Sequence, residues 1–193
     1  MKQTIKKAQK LLLPLWLILA ASTAFAQQLG GGGMHGHGAD GTGHDMRNMP
    51  GLQGENVTKG ETADLATMFQ TFPQIDREVT NLPNGIRAVT RSDNPQVKDA
   101  IVRHVIDMIA RVEAGDDPKV FIQSPTLDIF FERYEALTTQ VEVTEDGVIV
   151  TQTSDDPELV EAMHIHAAEV SAMADQGMRA VHQMMMERAQ NAQ

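Results

Sequence analysis

No cysteine occurs anywhere in the 193-residue chain. That excludes a disulfide framework, thiolate metal sites, covalent haem attachment through C-x-x-C-H and a lipobox anchor. Any metal must therefore be held by His, Met, Asp or Glu. Basic residues are also scarce, at 16 against 26 acids. Such a balance repels nucleic acid and anionic lipid, and it favours cations, metal ions and basic partners. The familiar catalytic signatures are missing too. There is no G-x-S-x-G, no H-E-x-x-H and no glycine loop that follows a strand to cradle phosphate. These absences point away from an enzyme.

The one strongly basic stretch lies at the start. Residues 1–10 hold Lys2, Lys6, Lys7 and Lys10 with no acid, and residues 11–23 are almost continuously apolar around Leu11, Leu12, Leu13, Trp16 and Leu17. Ala24-Phe25-Ala26 follows as an A-x-A site. This is the pattern of a cleavable signal peptide over 1–26, cut after Ala26. Pro14 and the short apolar run argue against a membrane span, which needs about 20 apolar residues. The four lysines leave with the leader, so 12 of the 16 basic side chains and all 26 acids remain, for a net charge of −14. The expected location is periplasmic or secreted, with no membrane association after cleavage.

Residues 27–60 are rich in glycine and follow neither the helical nor the strand period, which predicts a disordered His/Met/Gly-rich tail. Beyond it, residues 61–190 contain an internal repeat. A shift of 62 residues lays 64–115 onto 126–177 without a gap, with 11 identities in 52 positions. They include Gly85 on Gly147, Ser92 on Ser154, Pro95 on Pro157, His104 on His166 and Gly115 on Gly177. Each copy reads as a short apolar helix, a hairpin and a long helix. Asn84-Gly85 and Asp146-Gly147 predict tight type I′ turns. Asn94 and Asp156 are expected N-caps ahead of Pro95 and Pro157, while Gly115 and Gly177 suit the helix ends. The expected fold is α+β: tandem pseudo-symmetric repeats whose antiparallel sheet of about four strands packs on two long helices. A Met-rich helix over 178–190 closes the chain.

The strings LPNGIRAVTRSDNPQV with IVRHV, and DGVIVTQTSDDPELV with HAAEV, carry a duplicated (N/D)G…SD(N/D)P…H motif. They resemble an uncharacterised family of exported bacterial proteins, related segments of which occur alongside c-type cytochrome modules. The resemblance covers roughly residues 62–180 and includes neither the tail nor a C-x-x-C-H site. It implies an extracytoplasmic setting and redox or haem company, and it brings no activity.

Seven histidines could carry chemistry. His104 falls on the stripe Val97, Ile101, Val105, Met108 and Val112, and His166 on the stripe Leu159, Met163, Ala167, Val170 and Ala174. Both therefore point where core residues point. A pseudo-dyad would bring them to one pocket, to ligate haem b or to supply half of a copper or zinc site, with Met108 and Met163 one turn away. The alternative is a pair of core histidines, each hydrogen-bonded to a carbonyl or carboxylate. His164 is two residues from His166 and projects about 200° away from it in a helix, so it is expected on the solvated or partner-facing side. In the tail, His35, His37 and His44 with Met34, Asp40, Asp45, Met46 and Met49 suit Cu(II), Zn(II) or Cu(I); an incidental linker is the alternative. His182 and Met184-Met185-Met186 read as core or partner-groove filler rather than copper ligands. The function expected from these features is non-catalytic metal or haem binding in the periplasm. The alternative is an acidic module docking to another exported protein, such as a redox one, with structural histidines.

Overall fold

The computed structural model describes residues 49–191. Helix α1, Lys59–Gln70, leads to strands β1, Asp76–Leu82, and β2, Gly85–Arg91, and then to helix α2, Pro95–Ala114. The second half runs through a short helix α3, Asp128–Glu132, strands β3, Thr138–Val143, and β4, Gly147–Thr153, and helix α4, Pro157–Gln176. Helix α5, Met178–Asn191, follows. The class is α+β, with an antiparallel sheet of order β1-β2-β4-β3. Two 3-10 turns, Phe72–Gln74 and Tyr134–Ala136, precede the two hairpins at positions 62 apart. In the central ladder Ala88 pairs with Val150, Gly85 with Thr153 and Arg91 with Gly147. Ala88 thus faces its own counterpart in the 62-residue shift, as in an isologous contact. The hairpin ends are braced reciprocally: Ser92 N–H donates to Asp146 O at 3.0 Å and Ser154 N–H to Asn84 O at 2.9 Å.

Local chemistry explains the helix limits. The side chains of Asn94 and Asp156 accept from the amides of Gln96 and Glu158, each at 3.0 Å, and satisfy groups that the first turn leaves orphaned. Pro95 and Pro157 follow at N1, where no amide hydrogen is needed. Helix α2 ends on Gly115 in the left-handed region at φ 64, ψ 23. Gly177 ends α4 at φ 59 but ψ −139, and a Cβ there would lie 2.6 Å from Phe72 Cδ1. Helix α1 starts with a reciprocal capping box between Thr58 and Glu61.

Two sequence expectations require correction. The first hairpin turns on Pro83-Asn84, since Leu82 pairs with Gly85. Among the described residues a positive φ occurs only at Met49, Lys119, Gly115 and Gly177, so type I′ turns at Asn84-Gly85 and Asp146-Gly147 are excluded. Proline fixes φ near −65°, which no I′ position accepts. The glycines serve instead for close approach. A Cβ on Gly85 would fall 1.9 Å from Gln152 O, and one on Gly147 2.0 Å from Thr90 O. The tail also ends earlier than residue 60. Leu52 is fully buried in a 3-10 turn, and Gln53 O and Gly51 O accept from the amides of Phe121 and Ile122. Gly54, which reads as a disorder signal in the sequence, is needed because Pro118 O would lie 2.3 Å from its Cβ.

One face of the sheet carries the helices. Helix α4 packs on β2 and β1, α2 on β4 and β2, α1 on α2, and α5 on α4. Ile86, Phe130, Phe131, Met163 and Ala167 form one buried cluster, and Val97, Ile101 and Val148 a second. A fully buried Leu159 or Met163 contributes about 1.5–3 kcal/mol by leaving water. Direct packing of α2 against α4 is slight, and the space between them is a cavity. No helix among the described residues is long and apolar enough to cross a membrane.

Candidate functional site

The cavity has a volume of about 310 Å³, with α2 and α4 as side walls, β2 and β4 as floor and α1 along one flank. Helical spacing puts Ile101, His104 and Met108 on its α2 wall and His166, Val170 and Met173 on its α4 wall. Strand alternation turns Ile86, Ala88, Thr90, Val150 and Gln152 up from the floor. The wall is mostly aliphatic, so the few polar groups on it stand out.

His104 and His166 both line this cavity. His104 is half-buried on this wall. Burial pushes its pKa down to about 4, His166 adds to the lowering, and Asp64 and Glu61 oppose it. At neutral pH it is an uncharged imidazole with one donor and one acceptor nitrogen. Its Nδ1 is buried and makes no hydrogen bond. The same holds for His166 Nδ1, which lies 3.9 Å from Glu169 Oε2, beyond hydrogen-bond reach. Phe130 meets the His166 ring edge-on at 5.7 Å. Burial would raise the Glu169 carboxyl, but His166, Ser124 and Arg188 together hold it below its ordinary value. Its Oε1 accepts from Ser124 Oγ at 2.8 Å and Arg188 Nη2 at 3.3 Å.

His164 departs from expectation. Its Nε2 lies 3.1 Å from Leu82 O and 2.9 Å from Gly85 O. Carbonyls only accept, so Nε2 carries the proton and His164 ties α4 to the first hairpin rather than facing solvent.

Among the described residues no three side chains of His, Asp or Glu converge in a way that could hold a metal ion. Met108 lines the cavity, whereas Met163 is fully buried in the core beneath α4. On α5, Met185 and Met186 are 46% and 62% exposed, so they do not fill the core. Residues 1–26, expected to be a signal peptide, and His35, His37 and His44 lie outside the described residues.

Three charged features escape a sequence reading. Arg111 pairs with Glu61 through Nε at 2.5 Å and Nη2 at 2.9 Å, and Arg103 grips Asp64 at 3.0 and 2.6 Å. The Arg111 contact outweighs burial and brings the Glu61 pKa down to about 2. The third is Arg77, on the cavity side of β1. Its Nη1 donates to Thr90 Oγ1 at 2.7 Å, its Nε is buried without a partner, and burial lowers its pKa to about 10. The available signal is alternation with Val79 on the same strand face. It is masked because Asp76, Glu78, Thr80 and Asn81 make the segment read as polar throughout.

No family model matches the chain, and comparisons with curated proteins and with solved structures give no match.

Proposed function

We propose that this is an exported, non-catalytic binding protein whose ligand is a small, largely apolar molecule held between α2 and α4. His104 and His166 meet its polar groups. The observation that carries this reading is that both histidines line one apolar cavity. Their Nδ1 atoms are buried and make no hydrogen bond, which leaves Nε2 as the nitrogen that meets a ligand. A volume of about 310 Å³ is at the low end for ligand pockets. The export assignment rests on the basic, apolar and A-x-A pattern of residues 1–26. The same reading takes the two halves as copies of one hairpin-helix unit, supported by the 62-residue match and the self-paired central ladder. Isothermal titration with decanol tests it. Saturable binding is expected, and Val170→Trp, which fills the cavity, is expected to abolish it. Binding that survives the substitution would move the ligand elsewhere.

Haem b is a second reading, favoured by two imidazoles on facing helices of one cavity. Its planar macrocycle needs a wide slot between the two imidazoles, wider than a pocket of about 310 Å³ at the low end of the ligand range provides without α2 and α4 parting. Hemin titration decides it. A bis-histidine absorption spectrum lost in both His104→Ala and His166→Ala would support haem, and free-hemin spectra throughout would remove it. A bare copper or zinc ion between these two histidines finds no third protein carboxylate or imidazole among the described residues. The metal proposal therefore stays with His35, His37 and His44. Docking to another exported protein is the remaining alternative, supported by exposed Val141 and Val143 on edge strand β3.

A further inference from the structure

The cavity wall holds one cation without a counter-charge. Arg77 and Thr90 are direct cross-strand partners, and their hydrogen bond uses only Nη1 of the guanidinium. Nη2 is left for a ligand, since Nε is itself buried in the wall. The fold does not require a charge at this place. The counterpart pair in the second half is Thr139 opposite Gln152, joined by a neutral bond from Gln152 Nε2 to Thr139 Oγ1 at 3.3 Å. Nearby acids face other groups: Glu61 is paired with Arg111, and Glu169 accepts through Oε1 from Ser124 and Arg188, with its Oε2 3.9 Å from His166 Nδ1. Among the described residues no carboxylate approaches Arg77, and burial alone perturbs it. An uncompensated guanidinium in an apolar wall is costly, and such groups concentrate at binding sites.

We propose that the ligand is an apolar carboxylate, with its hydrocarbon part between α2 and α4 and its carboxylate on Nη2 of Arg77. This rests on the reading of the cavity as the binding site. The volume and the charge together select a medium-chain fatty acid or a compact aromatic acid. Long charged-lipid chains exceed the space.

Titration calorimetry on the full chain at pH 8 compares decanoate with decanol, which differ only at the head group and are used below their aggregation limits. Decanoate is expected to bind at least about tenfold more tightly, as a charge-assisted hydrogen bond allows. Arg77→Met is expected to remove that preference, and Arg77→Lys to keep part of it. Equal wild-type affinities, or a preference that survives Arg77→Met, would overturn the carboxylate assignment while decanol binding keeps the cavity reading intact. Absence of binding by either probe would overturn both. The wild-type comparison needs no variant, so it stands even if Arg77→Met fails to fold.

Discussion

Acidification from pH 7 to pH 5 should destabilise this protein through His104. The imidazole has a pKa of about 4 in the folded chain because burial penalises its charged form, against about 6.5 when exposed. Between those values the unfolded chain binds the extra proton and the folded chain does not. Stability therefore rises with pH across this window and falls as pH drops through 6.5 toward 4. From pH 7 to pH 5 the difference is about 2 kcal/mol, or roughly 4–8 °C in Tm for a domain of this size. The window also isolates the residue. Glu61, with its pKa near 2, contributes stability above about pH 4.5 that is lost only as pH falls toward 2. Urea unfolding followed by circular dichroism, at half-unit steps from pH 5 to 7, reads the slope. Running wild type beside His104→Gln subtracts every other titrating group. The variant should lose about 2 kcal/mol of the pH dependence. Identical slopes for the two proteins would refute the neutral, desolvated His104 on which the cavity chemistry rests.

Other perturbations separate the scaffold from the site. Arg111→Met leaves the Glu61 carboxylate buried beside nothing that balances it, and should cost about 3–5 kcal/mol in urea unfolding. Gly147→Ala places a methyl group 2.0 Å from Thr90 O and should separate β2 from β4, seen as loss of the cooperative thermal transition. His164→Ala removes the link to Leu82 O and Gly85 O and should cost about 1–2 kcal/mol while decanol affinity stays unchanged. Deleting residues 27–48 should remove weak Cu(II) or Zn(II) equivalents from a calorimetric titration, and an unchanged stoichiometry would take His35, His37 and His44 out of the mechanism.

What was legible in the sequence is what short-range chemistry dictates. A cap residue followed by proline, with glycine 21 residues after the cap, defines both long helices, because capping and helix termination depend on neighbours in the chain. The 3, 4 spacing put His104 and His166 on inward faces, and both do line the cavity. The turn assignment failed because Asn-Gly was read as a source of positive φ, while the contact that requires Gly85 comes from Gln152, 67 residues away. His164 failed in the same way. A helical wheel puts it opposite His166, but it cannot reveal that two hairpin carbonyls wait on that side. Arg77 and the acids Glu61 and Asp64 were missed because polar residues in polar segments carry no periodic sign of burial; only tertiary packing makes them unusual.

The central claim, that a ligand occupies the space between α2 and α4 beside His104 and His166, is tested most directly through the imidazole nitrogens themselves. Long-range proton–nitrogen NMR spectra of the full chain, recorded while decanoate is added, should move the ring resonances of His104 and His166 together along one saturating curve. His164, held by Leu82 O and Gly85 O, should stay in place. Movement of neither His104 nor His166 at decanoate concentrations that saturate the calorimetric signal would contradict the account.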